Sequence, residues 1–202
     1  KVLMIKEVRD GAAIVAWHSM KEKIFVKEGI EYIEFVVGNK AIRGCTACEH
    51  CKKAGRCVFD DEVNKLAPLF EEADGLVIAS PVYYALANAT LGRFLTGFFT
   101  AHLLQNNESR SKRSMRQKGG CSSTFDQLNK YFTISGMPVA SSQYWNSIHG
   151  LFPGEADQDE EGKQTMEHLQ ENMVFLMKCI ELGKKEFGLP EKEERVSTHF
   201  IR

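Results

Sequence analysis

The sequence predicts an α/β fold built on a doubly wound parallel sheet, and three observations carry that prediction. Short apolar runs, Val2-Leu3-Met4-Ile5, Glu31-Tyr32-Ile33-Glu34-Phe35-Val36-Val37 and Leu76-Val77-Ile78-Ala79, have the length and density of strands in a parallel sheet covered on both faces. Longer segments place apolar residues at three- and four-residue spacing, the period of helices that lie on such a sheet. The two kinds of segment alternate along the chain, which is the order that winds helices over both faces.

Taken in order, Val2–Ile5 is the first strand, and Lys6-Glu7-Val8-Arg9-Asp10-Gly11 is a polar connection. Ala12 to Lys27 suits a helix, with Ile14, Trp17, Ile24 and Phe25 among its apolar positions, although Ala12–Trp17 also suits a strand. Glu31–Val37 is the second strand, ended by Gly38-Asn39. A cysteine-rich loop follows. Asp60 or Asp61 can cap the next helix by accepting from a free N–H of its first turn. Pro68 has no N–H to donate, which predicts a break there and a fresh start running to Glu72.

Leu76–Ala79 is the third strand and delivers the chain to Ser80-Pro81-Val82-Tyr83-Tyr84. From about Asn88 a helix carries Leu91, Phe94, Leu95, Phe98 and His102 on one stripe, a core or subunit-interface pattern. Gln105 to Lys118 is polar and basic. It has no interleaved aromatic residue to stack bases, so it reads as a solvated loop. Phe125, Leu128 and Phe132 pattern a further helix, and Pro138-Val139-Ala140-Ser141 a short strand. Asp157 to Glu161 puts negative charge at the start of the last helix, near Thr165 to Glu186, where the helix dipole favours it. That helix has Met166, Leu169, Met173, Leu176 and Ile180 on one face, and the charged residues after Pro190 read as a tail. One domain over residues 1–202 is expected, with a cysteine-rich loop at 44–58 and a C-terminal helix plus tail at 163–202.

Composition narrows the function classes. Of 202 residues, 43% are hydrophobic and 26% charged, with a net charge of -1, so no basic field invites nucleic acid. The apolar runs fall short of the roughly 20 residues of a membrane span. Nothing at the start reads as an export signal, so a cytoplasmic location and reduced thiols are expected, with disulfides the least favoured outcome.

Two stretches carry candidate chemistry. Cys45, Cys48 and Cys51 recur at every third position and Cys57 follows. Structural zinc usually draws two separated Cys-x2-Cys pairs from different turns. A Cys-x2-Cys-x2-Cys run is how ferredoxin-type loops wrap three corners of a cubane cluster. Unliganded thiols in a reduced loop are the plain alternative, and His50 within the loop reads as solvated. The second stretch is Ser80–Tyr84 at the C-terminal end of a strand, where ligands bind in open α/β sheets. Pro81 holds Ser80 extended. Tyr83 and Tyr84 offer flat surfaces and hydroxyls for a planar ligand, or else simply pack.

The run Gly44-Cys45-Thr46-Ala47-Cys48-Glu49-His50-Cys51, then Gly55-Arg56-Cys57-Val58-Phe59-Asp60-Asp61, resembles the NADPH-dependent FMN reductase and iron–sulfur flavoprotein group. So do Ala73-Asp74-Gly75 leading into Ser80–Tyr84, and Thr124–Phe132 through Ser142–Asn146. The resemblance covers roughly residues 31–104 and 119–202. It implies a flavodoxin-like sheet of order 2-1-3-4-5 in three α/β/α layers, with FMN held at strand ends. It further implies a homodimer or higher homo-oligomer that takes electrons from NAD(P)H and gives them to a small-molecule or protein acceptor. Nucleic acid and membrane partners are not implied. On this reading Ser80, Pro81, Val82, Tyr83 and Tyr84 lie along the flavin, Gly119 and Gly120 admit its edge, and no side chain acts as acid or base. Some members bind a 4Fe–4S cluster on cysteines at the spacing of Cys45, Cys48, Cys51 and Cys57, while others with similar cysteines do not.

The chain departs from the family in two places. The family's phosphate loop, resembling Asn-Gly-Ser-Pro-Arg-x-x-Gly-Asn-Thr, is replaced by Lys6-Glu7-Val8-Arg9-Asp10-Gly11-Ala12-Ala13, which lacks hydroxyls and adds carboxylates. Only Arg9 and Gly11 compensate in part. The apolar fourth strand expected before Gly119 is replaced by the basic stretch Arg110–Lys118. These departures keep two alternatives open: an FMN or iron–sulfur electron carrier that does not itself oxidise NAD(P)H, and a flavodoxin-like scaffold without a cofactor.

Overall fold

The computed structural model describes residues 1–7, 24–38, 40–103, 113–115, 121–150, 152 and 154–191. Strands β1 (Val2–Lys6), β2 (Tyr32–Val36) and β3 (Gly75–Ala79) are followed by the two-residue strands β4 (Val82–Tyr83) and β5 (Leu86–Ala87), and then by β6 (Arg113–Met115). The helices are α1 (His50–Ala54), α2 (Glu62–Glu72), α3 (Ala89–Leu103), α4 (Cys121–Ile134) and α5 (Glu160–Phe187). The main sheet is parallel throughout, in the order β2-β1-β3-β6.

Alternation of side chains along β1 and β3 divides the core into two layers. Leu3, Ile5, Leu76 and Ile78 pack under α2, α3 and α4, where Phe70, Phe94, Phe98 and Phe132 fill the space. Val2, Met4 and Val77 face the other way, onto Phe25 and onto Met166, Leu169 and Met173 of α5. β1 and β3 are covered on both faces and nearly all buried, whereas the edge strand β2 is half-buried along its length. The result is the α/β/α layering expected from the sequence.

Several expectations are corrected. α2 runs unbroken through Pro68. The proline is exposed, so the carbonyl one turn back that it leaves without a donor can be solvated. The fourth strand exists despite its polar sequence: Arg113–Met115 pairs in parallel with Gly75–Val77, because a backbone ladder needs no apolar side chain at a sheet edge. The strand expected at Pro138–Ser141 shrinks to a single bridge residue at Val139, so the fifth position of the sheet is not a strand among the described residues. The last helix starts earlier than expected, at Glu160, with Asp159 as its cap. Of the helix expected over Ala12–Lys27, Ile24 and Phe25 are helical and the chain then turns at Gly29; residues 8–23 lie outside the described residues, as do Gly119, Gly120 and the tail from residue 192.

α5 is anchored to the core from its start as far as Leu176 and Met177, which are partly buried against it. Met166, Leu169, Met173 and Val174 are buried, but Phe175, Leu182 and Phe187 are 65%, 69% and 86% exposed. No helix among the described residues is long and apolar enough to cross a membrane.

Candidate functional site

Strand order reverses at β1: the chain passes from β1 to β2 on one side and returns to β3 on the other. The crevice beyond the carboxyl ends of β1 and β3 is therefore where such a sheet binds ligands. Lys6 is level with Ala79 in the register, which sets Glu7 and Ser80 at the mouth of this crevice. Ser80 is 1% exposed and its hydroxyl is committed to the backbone. Its Oγ accepts from the Asn88 N–H at 2.9 Å and donates to the Pro81 carbonyl at 2.8 Å. Asn88 in turn caps α3, its Oδ1 accepting from the Thr90 N–H at 2.7 Å. Ser80 thus ties the end of β3 to the start of α3.

Glu7 is buried, and its Oε2 has no hydrogen-bond partner among the described residues. Burial pushes its carboxyl up, toward the neutral acid that can donate a hydrogen bond. Lys6, its neighbour, is pushed down by burial and pairs with Glu34 at 3.2 Å.

Beyond Pro81 the chain forms a hairpin that the sequence reading did not foresee. Val82 pairs with Ala87 and Tyr83 with Leu86, leaving Tyr84 and Ala85 as a two-residue turn. Both have positive φ, 52° and 59°, the pattern of a type I′ turn normally made by Asn-Gly. Side chains there cost roughly 1–3 kcal/mol per residue. The strained turn presents aromatic surface to solvent, with Tyr83 55% and Tyr84 fully exposed. Two side chains one turn apart on α4 grip it: Ser123 Oγ donates to the Ala85 carbonyl at 2.7 Å, and the Ala87 N–H donates to Gln127 Oε1 at 3.1 Å. Pairing of an α4 side chain with a hairpin amide leaves no trace in sequence periodicity, which is why Ser123 and Gln127 were missed. Tyr144 and Trp145, from the other aromatic stretch, are also exposed, with ring centroids 5.2 Å apart.

The cysteines gather at a separate place. Cys45, Cys48, Cys51 and Cys57 all line one cavity of about 220 Å³, with Gly97, Thr100 and Ala101 of α3 opposite them. Cys51 and Cys57 are half-buried, and Cys45 and Cys48 exposed. Ala47 and Glu49, on either side of Cys48, adopt left-handed backbone (φ 53° and 55°), and the Ala47 N–H approaches Cys45 Sγ at 3.4 Å. Curled backbone of this kind is how anion and iron–sulfur sites present N–H groups. Asn64 of α2 locks the end of the loop, accepting from the Cys57 N–H at 2.9 Å and donating to the carbonyls of Cys57 and Phe59. Burial, opposed by the Phe59 backbone N–H and reinforced by Asp61, Cys48 and Cys51, raises the Cys57 pKa, so the thiol stays protonated without a ligand.

Tetrahedral zinc with Zn–S bonds of about 2.3 Å would bring its ligands to a single point. No three His, Cys, Asp or Glu side chains converge in that way among the described residues. The four thiols share the lining of one cavity without converging on a single point, and a multi-iron cluster is the kind of centre in which each thiolate takes a different iron. The cavity and the hairpin use different stretches of α3. From Asn88 to Gly97 the helix advances about 14 Å at 1.5 Å per residue, so these are two sites rather than one.

Comparison with known proteins agrees with this architecture. The sequence pattern of a family described as NADPH-dependent FMN reductase matches residues 18–151. An iron–sulfur flavoprotein of Methanocaldococcus jannaschii is 26% identical over 163 residues, covering 76% of this chain and 84% of that protein. The crystal structure of RosB with a bound 8-demethyl-8-formylriboflavin-5′-phosphate intermediate superposes with a TM-score of 0.59 at 15% identity, covering 100% of this chain and 93% of the other. A flavodoxin from the domain Archaea gives a TM-score of 0.51 at 10% identity, over 86% of this chain and 98% of the other. The two structural likenesses establish a flavodoxin-like fold.

Proposed function

Because this chain belongs to the NADPH-dependent FMN reductase family, we propose that it is an FMN-dependent oxidoreductase drawing electrons from NAD(P)H and passing them to a small-molecule or protein acceptor. The observation that carries the proposal is the aromatic hairpin set at the sheet's strand-order reversal, open to solvent and held in a strained turn. Bound FMN would supply the hydride and electron chemistry, and a 4Fe–4S cluster would add one-electron storage.

The chain's own residues position and shield. Val82, Tyr83 and Tyr84 provide the surface along the flavin, and Ser80 with Pro81 fixes where that surface starts. Gly119 and Gly120 are assigned to the ring's edge on the resemblance alone. Hydride transfer calls for no side-chain acid or base, so no catalytic side chain is assigned. Cys45, Cys48, Cys51 and Cys57 are the proposed cluster ligands, supported by their shared cavity and the N–H aimed at Cys45 Sγ. The proposal includes a homodimer or higher homo-oligomer and treats residues 1–202 as one domain.

The test is the absorption spectrum of protein isolated without oxygen, followed by rapid mixing with NADPH. Flavin absorption that bleaches within a turnover, together with iron and acid-labile sulfide, supports the proposal. Flavin that stays oxidised makes the chain a carrier without its own NAD(P)H oxidation. Absence of flavin bands and of FMN uptake overturns the oxidoreductase assignment.

A further inference from the structure

The hairpin carries an inference beyond the site residues already assigned. A two-residue turn of Tyr84 and Ala85 does not favour itself: both residues sit where side chains clash with their own backbone, and neither is the glycine that tolerates it. Strain of this kind persists only when surrounding contacts over-determine it. The antiparallel ladder supplies few such contacts, since β4 and β5 have two residues each. An isolated hairpin of that length is not stable in water. The remaining restraint comes from outside the hairpin. Ser123 and Gln127, one turn apart on α4, hold the Ala85 carbonyl and the Ala87 N–H respectively, one on the turn and one on the returning strand. Ser80, the other fixed point, holds the Asn88 N–H just past the hairpin's end. α4 itself packs through Leu128 and Phe132 into the core, so the clamp is anchored to a rigid element.

We infer that Ser123 and Gln127 are positioning residues for the flavin ledge, keeping Tyr83 and Tyr84 presented by locking a turn the sequence would not otherwise adopt. The inference rests on the FMN reading for its consequence in binding, but not for the clamp itself. Ser123 and Gln127 act through the hairpin backbone and are not assigned any contact with ligand.

The experiment compares Ser123→Ala, Gln127→Leu, Gln127→Glu and the double variant Ser123→Ala/Ala85→Gly with the parent chain. Two readouts are taken: FMN affinity from quenching of flavin fluorescence, and hydrogen exchange of the amides over residues 82–87 by mass spectrometry. Loss of one hydrogen bond corresponds to roughly two- to tenfold, so Ser123→Ala and Gln127→Leu should each weaken FMN binding by about that factor. They should also accelerate exchange across the hairpin while leaving exchange in β1 and β3 unchanged. Gln127→Glu keeps an acceptor for the Ala87 N–H and should behave like the parent. Ala85→Gly removes the strain at one turn position and should recover most of what Ser123→Ala loses.

Unchanged hairpin exchange in both Ser123→Ala and Gln127→Leu overturns the clamp. Exchange that rises uniformly over the whole fold also overturns it, leaving the two residues a general structural role. Faster hairpin exchange with unchanged FMN affinity overturns the positioning role while leaving the flavin assignment standing. If the parent chain takes up no FMN, the flavin reading fails and the positioning role with it, while the exchange measurements still decide the clamp.

Discussion

At the scale of single residues, the most informative side chains are those whose environment contradicts their chemistry. Glu7 is a buried carboxyl, with burial raising its pKa. Such a group binds its proton more tightly folded than unfolded. Its contribution to stability is full below the unfolded carboxyl pKa and is lost as pH rises through the folded value. Glu7→Gln should therefore raise the melting temperature at pH 8 and change it little at pH 4, measured by thermal unfolding at both. Cys57 is the second such residue. Its raised pKa means that a metal or cluster must displace a proton, so iron loading should strengthen as pH rises from 6.5 to 8.5. The cavity it shares is bounded by Ala101, which is 3% exposed. Ala101→Phe fills the space and should cut iron and acid-labile sulfide to a small fraction of the parent while FMN uptake persists. The cysteine spacing was legible in the sequence because thiols are named by residue type. Glu7 was legible only as a departure from a phosphate loop, since nothing in a sequence states that a glutamate will be buried.

At the scale of elements, legibility followed the source of stability. β1 and β3 are strands because both faces are covered, and their unbroken apolar runs declared it. β6 takes its place by pairing in parallel with β3, and Arg113-Ser114-Met115 carried no apolar signal for that. The β4–β5 hairpin was hidden for a related reason: tertiary contacts impose its turn, so the Asn-Gly that marks such turns is absent. The start of α5 shows the opposite case, a local device readable in sequence. Asp159 caps the helix, accepting from the Gly162 N–H at 2.9 Å and from the His149 N–H at 2.5 Å. Burial alone would raise its pKa, but those two N–H groups and the His149 imidazole at 3.5 Å hold the carboxyl below its ordinary value. Its stabilisation is present above the unfolded pKa and lost as pH falls through the depressed folded value. Asp159→Ala should cost about 1 kcal/mol in urea unfolding at pH 7, and the difference from the parent should shrink toward zero in strong acid. A glycine at position 162 is part of the same device, because a Cβ there would stand 2.4 Å from Asp159 Oδ2 and 2.9 Å from the Ile148 Cα.

For the molecule as a whole, the sheet and its two core layers fix where chemistry can happen, and α3 links both candidate sites. Asn88 starts the helix at the hairpin, while Gly97, Thr100 and Ala101 face the cysteines further along. The strand-end place of Ser80–Tyr84 followed from fold class once the strands were read, whereas the hairpin, the α3 face opposite the cysteines and the separation between the sites needed coordinates. One more consequence comes from the uneven anchoring of α5. At 1.5 Å per residue its 28 residues extend about 42 Å, yet packing on the core ends near Met177, and beyond it Lys178 with Glu28 at 2.6 Å ties the helix to the body while Lys185 with Glu181 at 3.2 Å pairs only within the helix. Surface ion pairs like these contribute under about 1 kcal/mol each. In the isolated chain the helix should behave as a mast stepped firmly at its foot and loose at its head. A protease titrated against native protein should nick first beyond Lys178, and the trimmed remainder should keep its sheet and melt cooperatively.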